Sequence, residues 1–380
     1  MRSSIPASAF VAAIVGFGGT LALIIAAANA LGATPGQTAS WVTAMCLAIA
    51  FETAWLSWRS RMPVIAAWST PGAALVAASS GFSMNEAVGA FIVTAALLVA
   101  TGLFKPLMRL ISKIPASVAS GMLAGIVVTF ATGAVMTVPV DPWLILPLVA
   151  MFFVMRLFNP ALSVLAVLVA GGVIAFLTGR VGGLPALEFS VLTLIEPSFS
   201  MAAVMGLAVP LYLVTMASQN LSGLAVLKAA GYEPVPGPLI SVTGLFSLAS
   251  APFGALTTNL AAISAAICTG PDTHPDPAQR WLTGPFYALT YLIFAVFGAS
   301  LVAIFIVLPP SLIVLVAGLA LMAPLANALS IALGDERERM AATTAFAVTA
   351  SGLTLFGIGS AFWGLVAGMI VIGVERLKKS

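Results

Sequence analysis

Charge is the scarcest property of this sequence, and its near absence decides the class of protein. Only 7% of the 380 residues are charged and 61% are hydrophobic, and the mean hydropathy is +1.13. A soluble domain is about 25% charged and about 45–50% apolar, so the composition excludes a soluble globule. The apolar runs are also continuous, which excludes an outer-membrane barrel, because barrel strands alternate apolar and polar residues over roughly 10 positions. The sequence therefore predicts an all-α membrane protein with many spans.

Residues that carry chemistry are also rare. The two cysteines, Cys46 and Cys268, lie in apolar segments, so neither a disulfide framework nor a metal cluster is indicated. The lone histidine, His274, lies in a loop rich in proline and aspartate, where a rigid loop is favoured over an Asp/His/Asp metal site. The sequence contains no G-x-x-x-x-G-K-[ST] nucleotide loop, no HExxH helix and no nucleophile elbow. We therefore expect no metal, no cofactor and no enzymatic activity.

Long apolar segments occupy both halves of the chain. A helical span needs about 20 apolar residues, and fourteen segments meet or approach that length, seven in each half. Several of them, notably 64–80, 238–251 and 254–269, are short for a complete crossing. We predict spans at 8–31, 38–58, 64–80, 86–104, 115–137, 142–157, 160–179, 200–222, 238–251, 254–269, 281–304, 306–329, 340–357 and 360–375.

The few basic residues support this number of spans. If the amino terminus is cytoplasmic and the chain crosses at every segment, fourteen of the 15 Lys and Arg residues lie on the cytoplasmic side and only Arg180 lies outside. This bias satisfies the positive-inside rule, and one segment more or fewer would scramble it. We therefore predict that both termini are cytoplasmic. The net charge of +3 follows from this topology, so nucleic acid is not an expected partner.

Two of the apolar segments are interrupted by short polar stretches, one in each half. The first reads Trp68-Ser-Thr-Pro-Gly72, and the second reads Leu256-Thr-Thr-Asn259. In each we expect an extended stretch, then a hydroxyl or amide side chain as N-cap, then a helix of roughly 10 residues that crosses half of the bilayer. The second of these helices is expected at 260–268. The expected N-cap candidates are Ser69, Thr70, Thr257, Thr258 and Asn259.

The interruptions occupy matching positions, because Ser69 and Asn259 are 190 residues apart in a chain of 380. Other matches at a similar offset occur in the same order and indicate a duplicated unit. Each unit has seven spans, an odd number, so the second unit begins on the opposite side of the membrane and is inverted. Paired broken segments in inverted repeats indicate a transporter with its substrate site near the midplane. The further matches are Gly16 with Gly206, Asn29 with Gln219, and Ile114–Ser117 with Leu308–Ser311.

Two facing helix starts predict an anion site, because free backbone N–H groups and positive dipole ends point at one place. Each dipole contributes about 0.3–2 kcal/mol, whereas dehydrating a carboxylate costs several kcal/mol, so side-chain donors must supply the rest. The alternative is a pair of kinked helices whose polar side chains satisfy their own backbone or join neighbouring helices. The candidate substrate ligands are Asn29, Ser69, Thr70, Gly72, Gln219, Asn220, Thr257, Thr258 and Asn259. The aromatic candidates for contact with a flat ring, with packing as the alternative, are Phe17, Trp68, Tyr212 and Phe253.

Glu52 is the only acidic residue that lies clearly inside a predicted span. An ionisable group there is a functional candidate by default, and we interpret it as a proton carrier. The alternative is a structural ion pair with Arg59 or Arg61, which follow it near the cytoplasmic end of the same span.

Several motifs resemble the bacterial benzoate/proton symporter (BenE) family over essentially the whole chain. They are Ala67–Leu75, Met216–Leu221, Ala251–Gly254 with Asn259–Ile263, and Cys268–Pro271 with His274–Pro277. The family is related to the seven-plus-seven inverted-repeat transporters, which include the uracil and sulfate transporters. The resemblance implies a core domain of residues 1–106 and 191–305 and a gate domain of residues 107–190 and 306–380. It also implies short antiparallel strands before the half-helices of spans 3 and 10, and commonly a homodimer.

Two positions depart from the family pattern. Ser222 stands where many members have proline, and Ala255–Thr258 lacks the histidine that some members carry, so the resemblance does not assign the proton route. Relatives that transport nucleobases use carboxylates in spans 8 and 10. This chain has neutral side chains there, and neutral donors suit an anionic substrate. The neutral residues are Gln219, Asn220, Thr258 and Asn259.

The sequence and the resemblance together predict a proton-coupled importer of benzoate or a similar aromatic carboxylate in the bacterial inner membrane. The carboxylate is expected between the two half-helix starts and the ring against an apolar wall, while alternating access moves the core domain past the gate domain. Transport or exchange of another organic or inorganic anion is the alternative. A membrane enzyme or sensor is disfavoured, because no acid/base or metal cluster is visible.

Overall fold

The computed structural model describes residues 5–104, 106, 114–181, 183 and 185–377. Within this part of the chain the protein has fifteen α-helices, with Met201–Ala229 taken as one, two short 3-10 helices at Ala251–Phe253 and Pro277–Leu282, and one sheet of two short strands. Six of the helices are long and apolar enough to cross a membrane, and a bent pair, Pro277–Val296 with Gly298–Val307, turns by 62° and supplies a seventh candidate. The predicted helical, multi-pass membrane fold is confirmed, whereas fourteen crossings in two units of seven stay a prediction.

The elements follow one another in a similar order in the two halves. The first half contains α1 (Ile5–Ala30), α2 (Pro35–Ser60), β1 (Ala66–Trp68), α3 (Thr70–Ala78), α4 (Met84–Leu103), α5 (Ala116–Met136), α6 (Pro142–Phe158) and α7 (Ser163–Leu177). The second half contains α8 (Met201–Ala229), α9 (Pro236–Ser250), β2 (Thr258–Leu260), α10 (Ile263–Thr269), α11 (Thr283–Val296), α12 (Gly298–Val307), α13 (Pro310–Gly334), α14 (Arg339–Ala350) and α15 (Ser360–Leu377). Within α8, Val204–Ala208 and Thr215–Asn220 are π-helical.

Local sequence explains where several helices begin. Before α2, the Thr34 hydroxyl accepts the N–H of Gln37 and the Gln37 side chain accepts the N–H of Thr34. Ser83 and Glu86 form the same reciprocal pair before α4. Each pair satisfies two backbone donors that a helix start would otherwise leave open, so α2 and α4 begin at sharply defined positions.

Two groups of helices make up the body of the protein. In the first bundle (α1–α4, α8–α12 and both strands), α2 packs on α11, α4 on α9, and α1 on α3 and α10. In the second bundle (α5–α7 and α13–α15), α5 packs on α13 and α14, α14 on α15, and α6 on α7. Glycines allow the close approach, since a Cβ at Gly121 of α5 would strike the carbonyl of Ala342 in α14. The bundles meet where α1 lies against α7 and α13, and α3 against α5.

Residues 185–200, called the strap, cross one end of the first bundle in extended conformation and hydrogen bond to α2, α4, α11 and the 3-10 turn after α9. The Ser190 N–H donates to the Val296 carbonyl of α11 at 3.1 Å, and the Thr193 N–H donates to Ser40 Oγ of α2 at 2.9 Å. The Ile195 N–H donates to the Pro252 carbonyl at 2.8 Å, and the Ser198 N–H to the Asn85 carbonyl of α4 at 2.9 Å. The strap therefore ties the elements of the first bundle together at the end where α2 and α4 begin.

Two predicted helices are corrected by the structure. The predicted helix 260–268 with a cap at Thr257–Asn259 is wrong, because β2 takes residues Thr258–Leu260 into its pairing with β1, and α10 begins only at Ile263. Ser69 therefore corresponds in position to Ala261, the residue after β2, and not to Asn259.

The predicted span 340–357 is also wrong in its length. Helix α14 ends at Ala350 and has 12 residues, roughly 18 Å of helix. Positive φ angles at Gly352, Phe356 and Gly357 end the helical path, and Leu355 and Ile358 form a small antiparallel bridge. This segment is thus a short helix followed by a turn, which is less than a complete crossing.

Candidate substrate-binding site

The two broken segments meet through their strands. β1 and β2 pair antiparallel, with Ala67 opposite Asn259 and Trp68 opposite Thr258. One step beyond the ladder, the Ala261 N–H donates to the carbonyl of Ile65 at 2.8 Å. Backbone that is not helical needs such partners inside a membrane protein, because lipid offers none. The pairing therefore stabilises both interruptions and fixes the positions of the helices that follow them.

The starts of α3 and α10 are built differently. At α3, Ser69 Oγ accepts the Gly72 N–H at 3.1 Å, and Pro71 has no N–H to satisfy. At α10 the N-cap is Ala262, whose side chain cannot accept a hydrogen bond. The first-turn N–H groups of α10 consequently lack a side-chain acceptor. The fold therefore contains one self-satisfied helix start and one open start, and not the two equivalent dipole ends that the sequence predicts.

A cavity of about 390 Å³ lies between the two bundles, and both broken segments line it. The first bundle contributes α1, the start of α3, the second π-helical part of α8 with its following residues, and the start of α10, whereas the second bundle contributes α5–α7 with the α6–α7 loop, and α13. This volume lies within the range of roughly 300–1,000 Å³ that is typical of small-molecule sites. The polar lining residues are Thr20, Thr70, Arg156, Ser163, Ser218, Gln219, Ser222, Ser264 and Asn327.

The lining of the cavity is rich in neutral hydrogen-bonding groups. Within the described part of the chain, no carboxylate, lysine or histidine lines it. The hydroxyls of Thr20 and Thr70 are 3.0 Å apart and share a hydrogen bond. Gln219 Oε1 accepts from Asn259 Nδ2 at 3.5 Å, which leaves Gln219 Nε2 as a donor for a ligand. Because no carboxylate of the described residues lines the cavity, an anion there meets no like charge in the wall.

Apolar and aromatic side chains form the remaining walls. Trp68 lines the cavity from the first bundle and Phe152 from the second, and they are its aromatic lining residues among those described. Trp68 is held in place by a hydrogen bond from Nε1 to the Gly16 carbonyl (3.1 Å) and by Phe17, whose ring centre is 5.2 Å from its own. Tyr212 and Phe253, the other aromatic candidates, do not line the cavity. Trp68 and Phe152 are each 1% exposed, so a flat ring in the cavity can contact only the small part of each side chain that reaches the lining.

Several predicted ligands lie in a buried layer behind the cavity wall. Thr215 Oγ1 is 3.3 Å from Ser69 Oγ and 3.3 Å from Thr257 Oγ1, so one hydroxyl of α8 joins the two segments. Gly72 is required for packing, because a Cβ there would lie 2.6 Å from Leu211 Cδ1 and 2.7 Å from Ser69 Oγ. Ser69, Gly72 and Thr257 are buried and do not line the cavity.

The amides of α8 and β2 also act mainly within the protein. Asn220 Oδ1 accepts the Leu260 N–H of β2 at 3.0 Å. Asn259 donates from Nδ2 to the Leu260 carbonyl at 3.0 Å, and its buried Oδ1 has no hydrogen-bond partner among the described residues. Neither asparagine lines the cavity, whereas Gln219 does.

Asn29 is separate from all of these residues. It lies at the exposed end of α1, one residue before the helix ends at Ala30, whereas Gln219 lies in the interior of α8. The match between Asn29 and Gln219 thus does not reflect equivalent positions along the two helices. The polar residue that α1 brings to the cavity is Thr20.

Glu52 is fully buried in α2 and does not line the cavity. Its Oε2 accepts the Thr258 hydroxyl at 2.6 Å, and its Oε1 has no hydrogen-bond partner in the described part of the chain. The ion pairs with Arg59 or Arg61 are not formed among the described residues, and Arg61 instead lies over the ring of Trp281, 4.3 Å from its centre. Glu52 therefore reaches the strand that leads into α10.

Sequence reasoning missed the contribution of the second bundle. Phe152, Arg156 and Asn327 line the cavity but come from α6 and α13, which carry no polar interruption. Arg156 gave the clearest available signal, because it is a basic residue at the end of a long apolar segment. A basic residue at that position also satisfies the positive-inside rule as a cytoplasmic charge, so its position in the sequence does not indicate a site.

The fold and the cavity define a polytopic membrane protein of the transporter class. Comparison with known proteins agrees, since the family described as BenE, benzoate membrane transport protein, matches residues 2–374. The chain belongs to the BenE family, and it is a membrane transport protein and not an enzyme.

Two relatives match over nearly their whole length. The Inner membrane protein YdcO of Escherichia coli (strain K12) is 45% identical over 373 residues, which is 97% of this chain and 95% of the relative. The Benzoate membrane transport protein of Acinetobacter baylyi (strain ATCC 33305 / BD413 / ADP1) is 34% identical over 363 residues, which is 95% of this chain and 92% of the relative.

Solved structures of other transporters share the fold. The transmembrane domain of the cyanobacterial bicarbonate transporter BicA aligns with a TM-score of 0.62 at 16% identity and covers 95% of this chain and 97% of that one. SLC26A9 aligns with a TM-score of 0.66 at 12% identity and covers 98% of this chain and 65% of that one. At these identities the likeness shows a common architecture.

Proposed function

We propose that this protein is a proton-coupled importer of benzoate or a similar aromatic carboxylate. It lies in the bacterial inner membrane, surrounded by the lipid bilayer, with both termini in the cytoplasm. The first bundle acts as the core domain (1–106 and 191–305) and the second as the gate domain (107–190 and 306–380), and alternating access moves one past the other. The homodimer that the resemblance implies belongs to the same proposal.

The observation that supports this proposal best is the position of the cavity and the chemistry of its lining residues. It lies between the two bundles, both broken segments line it, and its neutral donors face no acidic side chain among the described residues. A carboxylate can accept hydrogen bonds from Thr70 and Gln219, while its ring contacts Trp68 and Phe152. Equivalent helices of the two halves make equivalent contacts: α1 packs on α10 as α8 packs on α3, and α2 packs on α11 as α9 packs on α4. These reciprocal contacts support the inverted repeat that alternating access uses.

Glu52 is the proposed proton carrier. The hydrogen bond between its carboxyl and Thr258 connects α2 to β2, and β2 leads within two residues to the cavity-lining start of α10. Adding a proton to Glu52 changes what this carboxyl can accept from Thr258, so the charge on Glu52 can bias the position of β2. One proton moved with one benzoate anion makes the cycle electroneutral.

Exchange of another anion is the second candidate, because BicA, which shares the fold, is described as a bicarbonate transporter. The apolar and aromatic walls favour the aromatic carboxylate over a small inorganic anion. Uptake of radiolabelled benzoate into proteoliposomes tests the choice, with competition by aromatic carboxylates, bicarbonate and sulfate. We expect aromatic carboxylates alone to compete and uptake to follow an imposed pH gradient. Uptake that follows membrane voltage at constant pH would contradict the electroneutral stoichiometry.

A further inference from the structure

The second bundle supplies one charged side chain to the cavity, and the proposed binding mode does not yet use it. Arg156 lies in the last turn of α6 and lines the cavity. It is partly exposed, and its side chain has no ion pair and no hydrogen bond among the residues that the structure describes. An arginine without internal partners keeps all five of its N–H donors for a ligand.

The surroundings of Arg156 suit a particular kind of ligand. Phe152 precedes it by four residues in the same helix and also lines the cavity. Residues four apart lie on one face of a helix, about 5–6 Å from each other. Phe152 is only 1% exposed, so it offers the cavity a small apolar edge beside the cation. An apolar group next to a cation matches a ligand that carries a ring and a carboxylate. Asn327 of α13 adds an amide from the same bundle.

We propose that Arg156 is the charge-selecting residue of the site, whose guanidinium binds the carboxylate of an aromatic carboxylate while the ring lies against Phe152. This inference rests on the proposed function. The planar guanidinium suits the task, because its paired donors match the two oxygens of a carboxylate. Thr70 and Gln219 belong to the first bundle and Arg156 to the second, so a bound anion joins the two bundles in this conformation. The contact with Arg156 ends when the bundles move apart.

Binding measurements on the purified full-length protein test this role. Dissociation constants are measured for benzoate and for benzamide, which has the same ring without the charge, in wild type, Arg156→Gln and Arg156→Lys. The matched control is Arg59→Gln, because Arg59 also lies in the last turn of an apolar helix but does not line the cavity. We expect Arg156→Gln to weaken benzoate binding by about 10- to 100-fold, the effect of losing a charged hydrogen bond. Benzamide binding and the Arg59→Gln variant should stay unchanged, and Arg156→Lys should recover part of the loss.

A folded Arg156→Gln variant that still prefers benzoate over benzamide as strongly as wild type overturns the proposal. A salt titration of the wild-type protein is a second test of the role of Arg156, and it requires no variant. If Arg156 attracts the anion by charge, added salt should weaken benzoate binding more than benzamide binding. Equal salt dependence of the two ligands also overturns it.

Measurements with several anions distinguish a failure of the Arg156 proposal from a failure of the proposed substrate. Thermal stabilisation of the wild type is measured with benzoate, bicarbonate and sulfate. If bicarbonate or sulfate stabilises the protein and benzoate does not, the proposed substrate is wrong, and the same variants are then compared with that anion. Loss of its effect in Arg156→Gln supports the role of Arg156, and retention overturns it. If no anion stabilises the protein, both proposals fail.

Discussion

The starts of α3 and α10 each follow one strand of the β1–β2 pair, yet they differ in how their free backbone N–H groups are satisfied. Ser69 caps α3 with its own hydroxyl, and Pro71 removes one donor altogether. Ala262 leaves α10 without a side-chain cap, and residues 261–264 line the cavity. The start of α10 therefore reaches the cavity without a side-chain cap, whereas the start of α3 is satisfied within the protein.

This difference separates the roles of the two broken segments. Both segments contain a strand, a break and a short helix, because the β1–β2 pairing needs both. Among the described residues, only the second segment hydrogen bonds to the buried acid, through Thr258 and Glu52. We infer that the first segment mainly maintains the geometry and that the second couples ligand and proton.

Ala262→Asp should have the largest effect on binding. The new carboxylate would supply the cap that α10 lacks and would place a negative charge at the cavity. Two like charges about 5 Å apart at an effective dielectric constant near 20 repel by roughly 3 kcal/mol, which corresponds to a loss of affinity of more than 100-fold. Isothermal titration with benzoate measures this loss, and Ala262→Asn provides a neutral control. Equal benzoate affinity in Ala262→Asp and Ala262→Asn would show that α10 does not face the substrate.

Glu52→Gln should remove the response of uptake to pH. Uptake by the wild type should rise as the outside becomes more acidic than the inside, because protonation of Glu52 accompanies the anion. Glutamine mimics the protonated carboxyl permanently, so benzoate exchange at equal pH should continue while accumulation driven by a pH gradient is lost. Proteoliposome uptake under imposed gradients measures both activities. An unchanged pH profile in the variant would exclude Glu52 as the proton carrier.

Gln219→Leu and Asn220→Leu should affect different properties although the residues are adjacent. Gln219 lines the cavity, so its loss should lower benzoate affinity by about 3- to 10-fold, the value of one hydrogen bond. Asn220 accepts the buried Leu260 N–H, so its loss should lower stability by about 1–3 kcal/mol. Titration and denaturation curves on both variants measure the two quantities. The assignment is reversed if Asn220→Leu proves as stable as wild type and weaker in binding.

Ser69→Ala should have the smallest effect on binding. It removes the cap of α3 and the acceptor of the Thr215 hydroxyl, so a loss of stability of about 0.5–2 kcal/mol is expected. Affinity for benzoate should change less than in Gln219→Leu, because Ser69 does not line the cavity. Thermal unfolding and titration of the same sample measure both. A large loss of affinity without a loss of stability would show that both helix starts contact the substrate after all.

The sequence predicts the two interruptions well because their signal is local. Trp68, Ser69 and Pro71 combine an extended stretch, a cap and a first-turn proline within four residues, and α3 begins at Thr70, next to the expected cap. The start of α10 depends on a partner 190 residues away in the chain, since β1 decides which residues become β2. No local feature of Thr257–Asn259 indicates that pairing. The local sequence therefore predicts helix caps where the structure has a strand.

The composition of the cavity was predictable only in part, and for a related reason. Thr70 and Gln219 stand out because polar residues are rare in this chain. Arg156 and Phe152 are ordinary members of an apolar segment, and only the packing of the second bundle against the first brings them to the cavity. Asn29 is also a rare amide in an apolar segment, but it lies at an exposed helix end and does not line the cavity.

The junction between the two bundles is unusually short at one point. Only Leu308 and Pro309 separate α12 from α13, so these helices cannot part by more than about 10 Å. The strap braces the other end of α12, where Ser190 and Glu188 hydrogen bond around the bend at Gly298. Helix α12 is therefore hydrogen-bonded to the strap at one end and joined to α13 by two residues at the other. If the bundles rock against each other, we expect the chain to bend at Leu308–Pro309.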